Sequence, residues 1–144
     1  MAQAKVFIDS DVIISSLLSA SGAAHLLLTG EFKNVNFFIA NISYQELKIV
    51  AKRLKIKKEK LESLVKKRFK IVNLKESVAE IKRKYKKYTF DPNDAHIIAG
   101  AARAKANFLL TYNLRHFKVD KIKKDFKIIL LTPANFLQYL RSQD

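Results

Sequence analysis

The chain has 144 residues, enough for one domain with a true hydrophobic core, and 49% apolar with 28% charged residues excludes a disordered chain. It contains no cysteine, which excludes a disulfide framework, a Cys-ligated zinc site and thiol chemistry, and fits a cytoplasmic protein. Its 28 Lys and Arg against 13 Asp and Glu leave a formal charge of +15, which favours polyanionic partners: nucleic acid, an acidic membrane surface or an acidic protein.

Residues 6–9 read as a short buried strand and 11–20 as a helix. The 19 residues 12–30 carry no Lys, Arg, Asp or Glu, a length that raises the question of a membrane span. Four serines, a histidine, a threonine and two glycines dilute the run, and Asp9 and Asp11 directly before it spoil a signal peptide. The reading is two core-facing helices broken near Ser21-Gly22, the second over 23–29 and stopped by Gly30. No targeting segment is visible and no membrane is expected.

Residues 37–40 form the next strand. A helix over 43–54 follows, with Leu47, Val50 and Leu54 at helical spacing, and 57–67 repeats the pattern through Leu61, Leu64 and Val65. Residues 69–74 alternate briefly, as a strand or a connector, and 77–85 read as a basic helix. Asp91-Pro92 opens a helix to about residue 105, with Ile97, Ile98 and Ala101 inward. Residues 107–111 and 127–131 are strands, and Thr132-Pro133 supplies an N-cap and an N1 proline for a last helix to about 140. Strands alternating with helices indicate parallel β–α units. With no repeat, low-complexity tract or linker, residues 1–144 are expected to form a single α/β domain.

In such folds ligands bind beyond the carboxyl ends of the parallel strands, and the acids of this chain return to that edge. Asp9 ends the first strand. Glu46 falls in the first turn of the helix after the second. Asp91 and Asp94 begin the helix before the Phe108 strand, and Asn113 lies just after that strand. Singly, each has a helix-capping explanation: Ser43-Tyr44-Gln45-Glu46 matches a capping box, Asp91 and Asp94 suit a helix start, and Asp11 suits the cap of the first helix. Collectively they say more. Within about 5 Å of one another, each pair of Asp9, Glu46 and Asp94 would repel by roughly 3 kcal/mol at an effective dielectric near 20. A cation relieves that repulsion, and all-oxygen ligands suit Mg²⁺ or Mn²⁺, which activate water and steady a phosphodiester oxyanion.

Four segments carry a specific likeness: Val6-Phe7-Ile8-Asp9-Ser10-Asp11-Val12-Ile13-Ile14, Ser43-Tyr44-Gln45-Glu46-Leu47, Asp91-Pro92-Asn93-Asp94-Ala95-His96-Ile97-Ile98-Ala99, and Phe108-Leu109-Leu110-Thr111-Tyr112-Asn113-Leu114-Arg115-His116-Phe117. In order and in extent they resemble the four motifs of the PIN-domain ribonucleases, most of all the VapC-like toxins of toxin–antitoxin pairs and their small prokaryotic relatives. The resemblance implies a three-layer α/β/α sandwich around a central, mostly parallel sheet of four to five strands. It also implies that Asp9, Glu46 and Asp94 are the catalytic, metal-holding acids for Mg²⁺ or Mn²⁺. Asp91 then matches an outer acidic position, and Ser10 and Thr111 match hydroxyl positions near the metal. Asn113 stands where many members have a fourth acid, and Asp11 where Asn, Thr or Ser is commoner, so Asp11 is a candidate to restore the missing charge. A homodimer and an antitoxin partner are further implications.

Ten basic residues lie between 52 and 70 against Glu59 and Glu62, and five more between 82 and 87. Lys52, Arg53, Lys82 and Arg83 are therefore candidate RNA contacts, with Tyr112 for base stacking and Arg115 and His116 for phosphate. His25, in an apolar run, reads as a core histidine. His96 follows the Asp94 turn, but one helix step does not by itself point a side chain inward, and it is set outside the site. The leading expectation is a metal-dependent endoribonuclease. The alternative is a PIN-like RNA-binding or scaffold protein with weak or no catalysis. Asp9-Ser10-Asp11-Val12 also resembles the nucleophile pair of haloacid-dehalogenase phosphohydrolases, but the chain is short for that fold and Thr111-Tyr112-Asn113 fits PIN domains better.

Overall fold

Three apolar runs that end beside acids or polar turns become neighbouring strands. The structure, a computed structural model, describes residues 3–143. Strands β1 (Ala4–Ile8), β2 (Val35–Ala40), β3 (Phe69–Val72), β4 (Phe108–Leu110) and β5 (Ile129–Leu131) form one all-parallel sheet in the order β3-β2-β1-β4-β5. The alternation of side chains along each strand feeds two cores. Val6 and Ile8, Phe37 and Ile39, and Phe108 and Leu110 face one; Phe7, Ala40 and Leu109 face the other.

The first core is closed by α1 (Ser10–Leu18), α2 (Ala23–Thr29), α3 (Asn41–Arg53), α4 (Lys58–Arg68) and α8 (Pro133–Ser142). The second is closed by α5 (Val78–Tyr85), α6 (Ala95–Arg103) and α7 (Val119–Phe126). This is the expected three-layer sandwich, with all five strands parallel. Helices α1 and α2 meet at 95°, and among the described residues no single helix is long and apolar enough to cross a membrane.

Helix α6 lies very close to the sheet because residue 100 is glycine. A Cβ there would stand 2.6 Å from the Phe7 ring and 3.0 Å from the Ala40 Cβ. That approach fixes the start of α6, and with it Asp94, against the ends of β1 and β2.

The capping box at Ser43 does not form. Strand β2 runs straight into α3 at Asn41, whose side chain accepts from the Leu74 amide at 2.9 Å and donates to the Leu74 carbonyl at 3.3 Å. This tie to the chain beyond β3 starts the helix two residues early. Ser43 is then buried inside α3 with no hydrogen-bond partner for its hydroxyl, and Glu46 falls in the second turn. The helix expected from Asp91 opens instead as a 3₁₀ turn, Pro92–Asp94, before α6 proper. Between Thr111 and residue 127, where the sequence reading offers no element, a 3₁₀ turn (Leu114–His116) and α7 intervene.

Candidate active site

The acids gather where β1, β2 and β4 end. Asp9 follows β1 at the N-cap position of α1 but makes no side-chain capping bond. Its carboxylate turns to the neighbouring strand end and accepts the Thr111 hydroxyl at 2.9 Å. Asp9 is only 9% exposed. Burial first, then the charge of Asp11, then Asp94, push its pKa up to about 7, against the Thr111 hydroxyl and the Ser10 amide, which favour the ionised form.

Asp11, in the first turn of α1, binds the loop after β4. Its Oδ2 accepts the Tyr112 amide at 3.0 Å, the Asn113 side-chain amide at 3.0 Å and the Thr111 hydroxyl at 3.4 Å. Its Oδ1 is buried without a partner. Burial raises its pKa despite the donors from Tyr112 and Val12. Thr111 in turn accepts the Asn113 amide at 3.0 Å, so Asp9, Asp11, Thr111 and Asn113 form one hydrogen-bonded cluster.

Asp94 closes the 3₁₀ turn that Asp91 caps by accepting the Asn93 amide at 2.9 Å. Burial and the nearby Asp91 raise the Asp94 pKa, opposed by His116, whose Nδ1 lies 3.8 Å from Asp94 Oδ2. Glu46 reaches the edge from α3, and His96 from α6 meets it, Nε2 to Oε2 at 3.3 Å. The contact lies off the line of a hydrogen bond, so the buried His96 Nε2 has no hydrogen-bond partner. His96 Nδ1 lies 2.9 Å from the Asn93 carbonyl, which can only accept, so this nitrogen carries a proton. Contact with His96 holds the Glu46 carboxyl below its ordinary range. Burial alone would lower the His96 pKa, but Glu46 and the Asn93 carbonyl outweigh it, and the net direction is up.

The structure therefore brings Asp9 and Asp11 together directly, with Thr111 and Asn113 between them, sets Asp94 near enough to Asp9 to couple by charge, and sets Glu46 near enough to couple with Asp94. Among the described residues no three His, Asp or Glu side chains stand close enough to hold an ion as they are placed. The donors nevertheless fit a hard divalent cation in kind. They are carboxylate oxygens, one of them buried and unpartnered on Asp11, and like charge weakens the ionisation of Asp9. Ser10, half-buried, stands at the first position of α1, and its amide favours ionised Asp9.

Tyr112, 45% exposed, follows Thr111 on the rim, and Arg115 and His116 lie in the next turn, both exposed. Lys82 lines a cavity that Glu46 and His96 also line, and Arg83 is exposed beside it on α5. Lys52 and Arg53 lie in the last turn of α3, at the far end of the helix from the strand edge where it begins, so they are not drawn to the acids. His25 is structural: its Nδ1 lies 2.9 Å from the Ser16 carbonyl and ties α2 to α1. The sequence reading missed His96. Its only signal was a histidine in the turn that follows Asp94.

A family model described as PIN domain matches residues 5–115. The chain belongs to the PIN-domain family. The match runs from β1 to the turn after β4 and so takes in Asp9, Glu46, Asp94, Thr111 and Asn113. No curated protein is similar enough in sequence to count as a relative. Solved structures share the fold of this PIN domain. One is a chain of a toxin–antitoxin complex from Klebsiella pneumoniae, 22% identical with a TM-score of 0.62 over 89% of this chain and 97% of that one. Another belongs to VapBC2 from Rickettsia felis bound to a fragment of its promoter DNA, 20% identical with a TM-score of 0.58 over 89% and 98%. A third is from VapBC-1 of nontypeable Haemophilus influenzae, 17% identical with a TM-score of 0.61 over 90% and 98%.

Proposed function

We propose that this PIN domain is a metal-dependent endoribonuclease that cleaves RNA phosphodiester bonds. PIN domains are a nuclease family, which supports hydrolysis of nucleic acid. The observation that carries the reading is the convergence of Asp9, Asp94 and Glu46, from three separate elements, on one edge of a chain with formal charge +15. Asp9, Glu46 and Asp94 would hold Mg²⁺ or Mn²⁺, which when bound supplies an activated water and positive charge at the phosphate.

The chain's own residues prepare that site. The Thr111 hydroxyl and the Ser10 amide orient Asp9 and favour its ionised form. Asp11 holds the loop that carries Thr111 and Asn113. Contact with His96 favours the ionised form of Glu46. Asp91 caps the turn that presents Asp94. Lys82, Arg83 and Arg115 supply positive charge along the rim, His116 an imidazole within reach of a phosphate, and Tyr112 a ring for a base. The shared fold with chains of toxin–antitoxin complexes supports a toxin role with an antitoxin partner. A homodimeric state and a cytoplasmic location belong to the same proposal.

The test is cleavage of a mixed single-stranded RNA pool, with DNA of the same sequences beside it. Cleavage of RNA with Mn²⁺, abolished by EDTA and by Asp94→Asn, supports the reading. Equal cleavage in all three arms, or none in any, refutes it. If about five phosphates are neutralised, log affinity should fall against log salt with a slope near −3.5.

A second reading, an RNA-binding module without catalysis, has two observations in its favour: Glu46 is engaged by His96, and among the described residues no three acids on the shared edge are close enough to hold an ion as placed. A calorimetric Mn²⁺ titration separates the two, since only the first requires binding that Asp94→Asn weakens.

A further inference from the structure

Beside Glu46 a cavity opens away from Asp9, Asp11 and Asp94, none of which lines it. It lies between the start of α3, the start of α5 and the Pro92–Asp94 turn, with a volume of about 160 Å³. Sites that enclose drug-sized ligands measure about 300–1,000 Å³, so this one has room for a single ring system and no more. Ile42, Ile81 and Pro92 make apolar walls. Val78, 57% exposed, stands among the lining residues, outside the buried face of α5.

We propose that this cavity is a nucleobase subsite, seating one base of single-stranded RNA beside the Glu46–His96 pair. The proposal rests on the nuclease reading and names how that site would select its substrate. Three observations favour a base over another apolar ligand. First, the cavity shares Glu46 and His96 with the acidic edge, so a strand whose phosphate lies at the acids passes its mouth. Second, Lys82 lines it and offers a cation to the phosphate that must accompany the base.

Third, Asn93 presents a reader. Its amide is given to Asp91 and its carbonyl is taken by His96 Nδ1, so the backbone is held from both sides. Its side-chain amide has no hydrogen-bond partner among the described residues and is exposed at the cavity. A carboxamide offers donor and acceptor together, the pattern that base edges match, and unstacked bases of single-stranded RNA are recognised in this way. Apolar walls for the faces of the ring and an amide for its edge constitute a base site.

The experiment is a ¹H–¹⁵N correlation titration of the full chain in EDTA with each of the four nucleoside 5′-monophosphates, and with ribose 5-phosphate as the base-free probe. At least one nucleotide should shift the amides of Val78, Ile81, Asn93 and His96 saturably, and ribose 5-phosphate should not. Val78→Trp, which fills the mouth at an exposed position, should abolish those shifts while the Thr111 amide stays in place. Asn93→Ala should reduce the ratio between the tightest and weakest nucleotide about tenfold. In the RNA pool, Val78→Trp should flatten a base preference at one position next to the cut. Ribose 5-phosphate shifts equal to those of the nucleotides, or nucleotide binding unchanged in Val78→Trp, would overturn the subsite. Nucleotide binding here by a chain that cuts no RNA would keep the subsite and remove the nuclease reading alone.

Discussion

Asp9→Asn should make the metal-free protein more stable, and the gain should depend on pH. In the unfolded chain Asp9 ionises near its ordinary 3.8, but in the folded chain only near about 7, because it is buried beside Asp11 and Asp94. Between those values the folded state binds the proton that the unfolded state has released, so stability falls as pH rises through the window and levels off above it. A rise of about three units corresponds to about 4 kcal/mol at 1.36 kcal/mol per unit. Asparagine keeps an oxygen for the Thr111 hydroxyl but gives up the charge that this hydroxyl and the nearby Ser10 amide favour, which leaves a net gain of about 2–4 kcal/mol at pH 8. At roughly 2–4 °C per kcal/mol for a chain of this size, the melting temperature in EDTA should rise by about 4–16 °C. The advantage should shrink to nothing as pH approaches 4. Mn²⁺ should close the gap from the other side, since a ligand at 100 times its Kd stabilises only the chain that binds it, by about 2.7 kcal/mol. A variant no more stable than the parent at pH 8, or equally favoured at pH 4 and pH 8, would refute the argument that Asp9 is ionised under duress.

Three further outcomes follow from the packing. Gly100→Ala should destabilise by about 1–3 kcal/mol in urea denaturation, because its Cβ meets the Phe7 ring at 2.6 Å, and it should weaken Mn²⁺ binding by moving the start of α6. Thr111→Val should cost about 1–3 kcal/mol in the same assay, since a buried hydroxyl that serves Asp9, Asp11 and the Asn113 amide is removed while its partners stay. Tyr88→Phe should cost about 1 kcal/mol by losing the 2.7 Å bond from the Tyr88 hydroxyl to Asp125. Burial and Asp125 push the Tyr88 pKa up to about 12, so this contribution holds below pH 10 and is lost between 10 and 12, and the two proteins should converge there in alkaline melts.

The parts of the fold that could be read from the chain are those where local chemistry and tertiary context agree. Helix α2 ends where Gly30 says it should, α8 starts on Thr132-Pro133, and β1, β2 and β4 centre on short apolar runs that end at polar turns. Where the chain offers a lysine for a glycine, the stop carries no local mark. Helices α3, α6 and α7 are followed by Lys55, Lys105 and Lys127, with positive φ of 60°, 54° and 62°. Apolar spacing still placed the ends of α3 and α6 to within two residues, but α7 was not read at all. Helix α7 was hidden further by its charges, since only Val119, Ile122 and Phe126 carry its inward face. The apparent capping box at Ser43 misled because the contest was settled by Asn41 bonding to Leu74, 33 residues away. The same division runs through the site. Asp9, Asp94 and Thr111 are legible because they sit at borders of strands and helices that the topology must bring to one edge. His96 is not, because its aim depends on where α3 lies, and Gly100 decides that by letting α6 down onto the sheet.

Asp11 and Asn113 are the place where sequence and geometry answer each other most closely. By its likeness to the family, the chain carries Asn113 where many members have a fourth acid and Asp11 where Asn, Thr or Ser is commoner, and the two side chains are hydrogen-bonded at 3.0 Å. Yet Asp11 Oδ2 already serves three donors of one loop, and only Oδ1 remains, buried and unpartnered. Its first task is therefore mechanical: it clamps the end of β4 to the start of α1 and so sets Thr111 against Asp9. If that is all it does, Asp11→Asn should lower stability and leave Mn²⁺ affinity within a factor of about two. If Oδ1 also lends its charge to the edge, affinity should fall about tenfold or more, the scale of losing one partner around a metal. Exchanging the pair, with Asp11→Asn and Asn113→Asp together, should then restore the affinity, because the carboxylate stays within the same hydrogen bond and only changes sides.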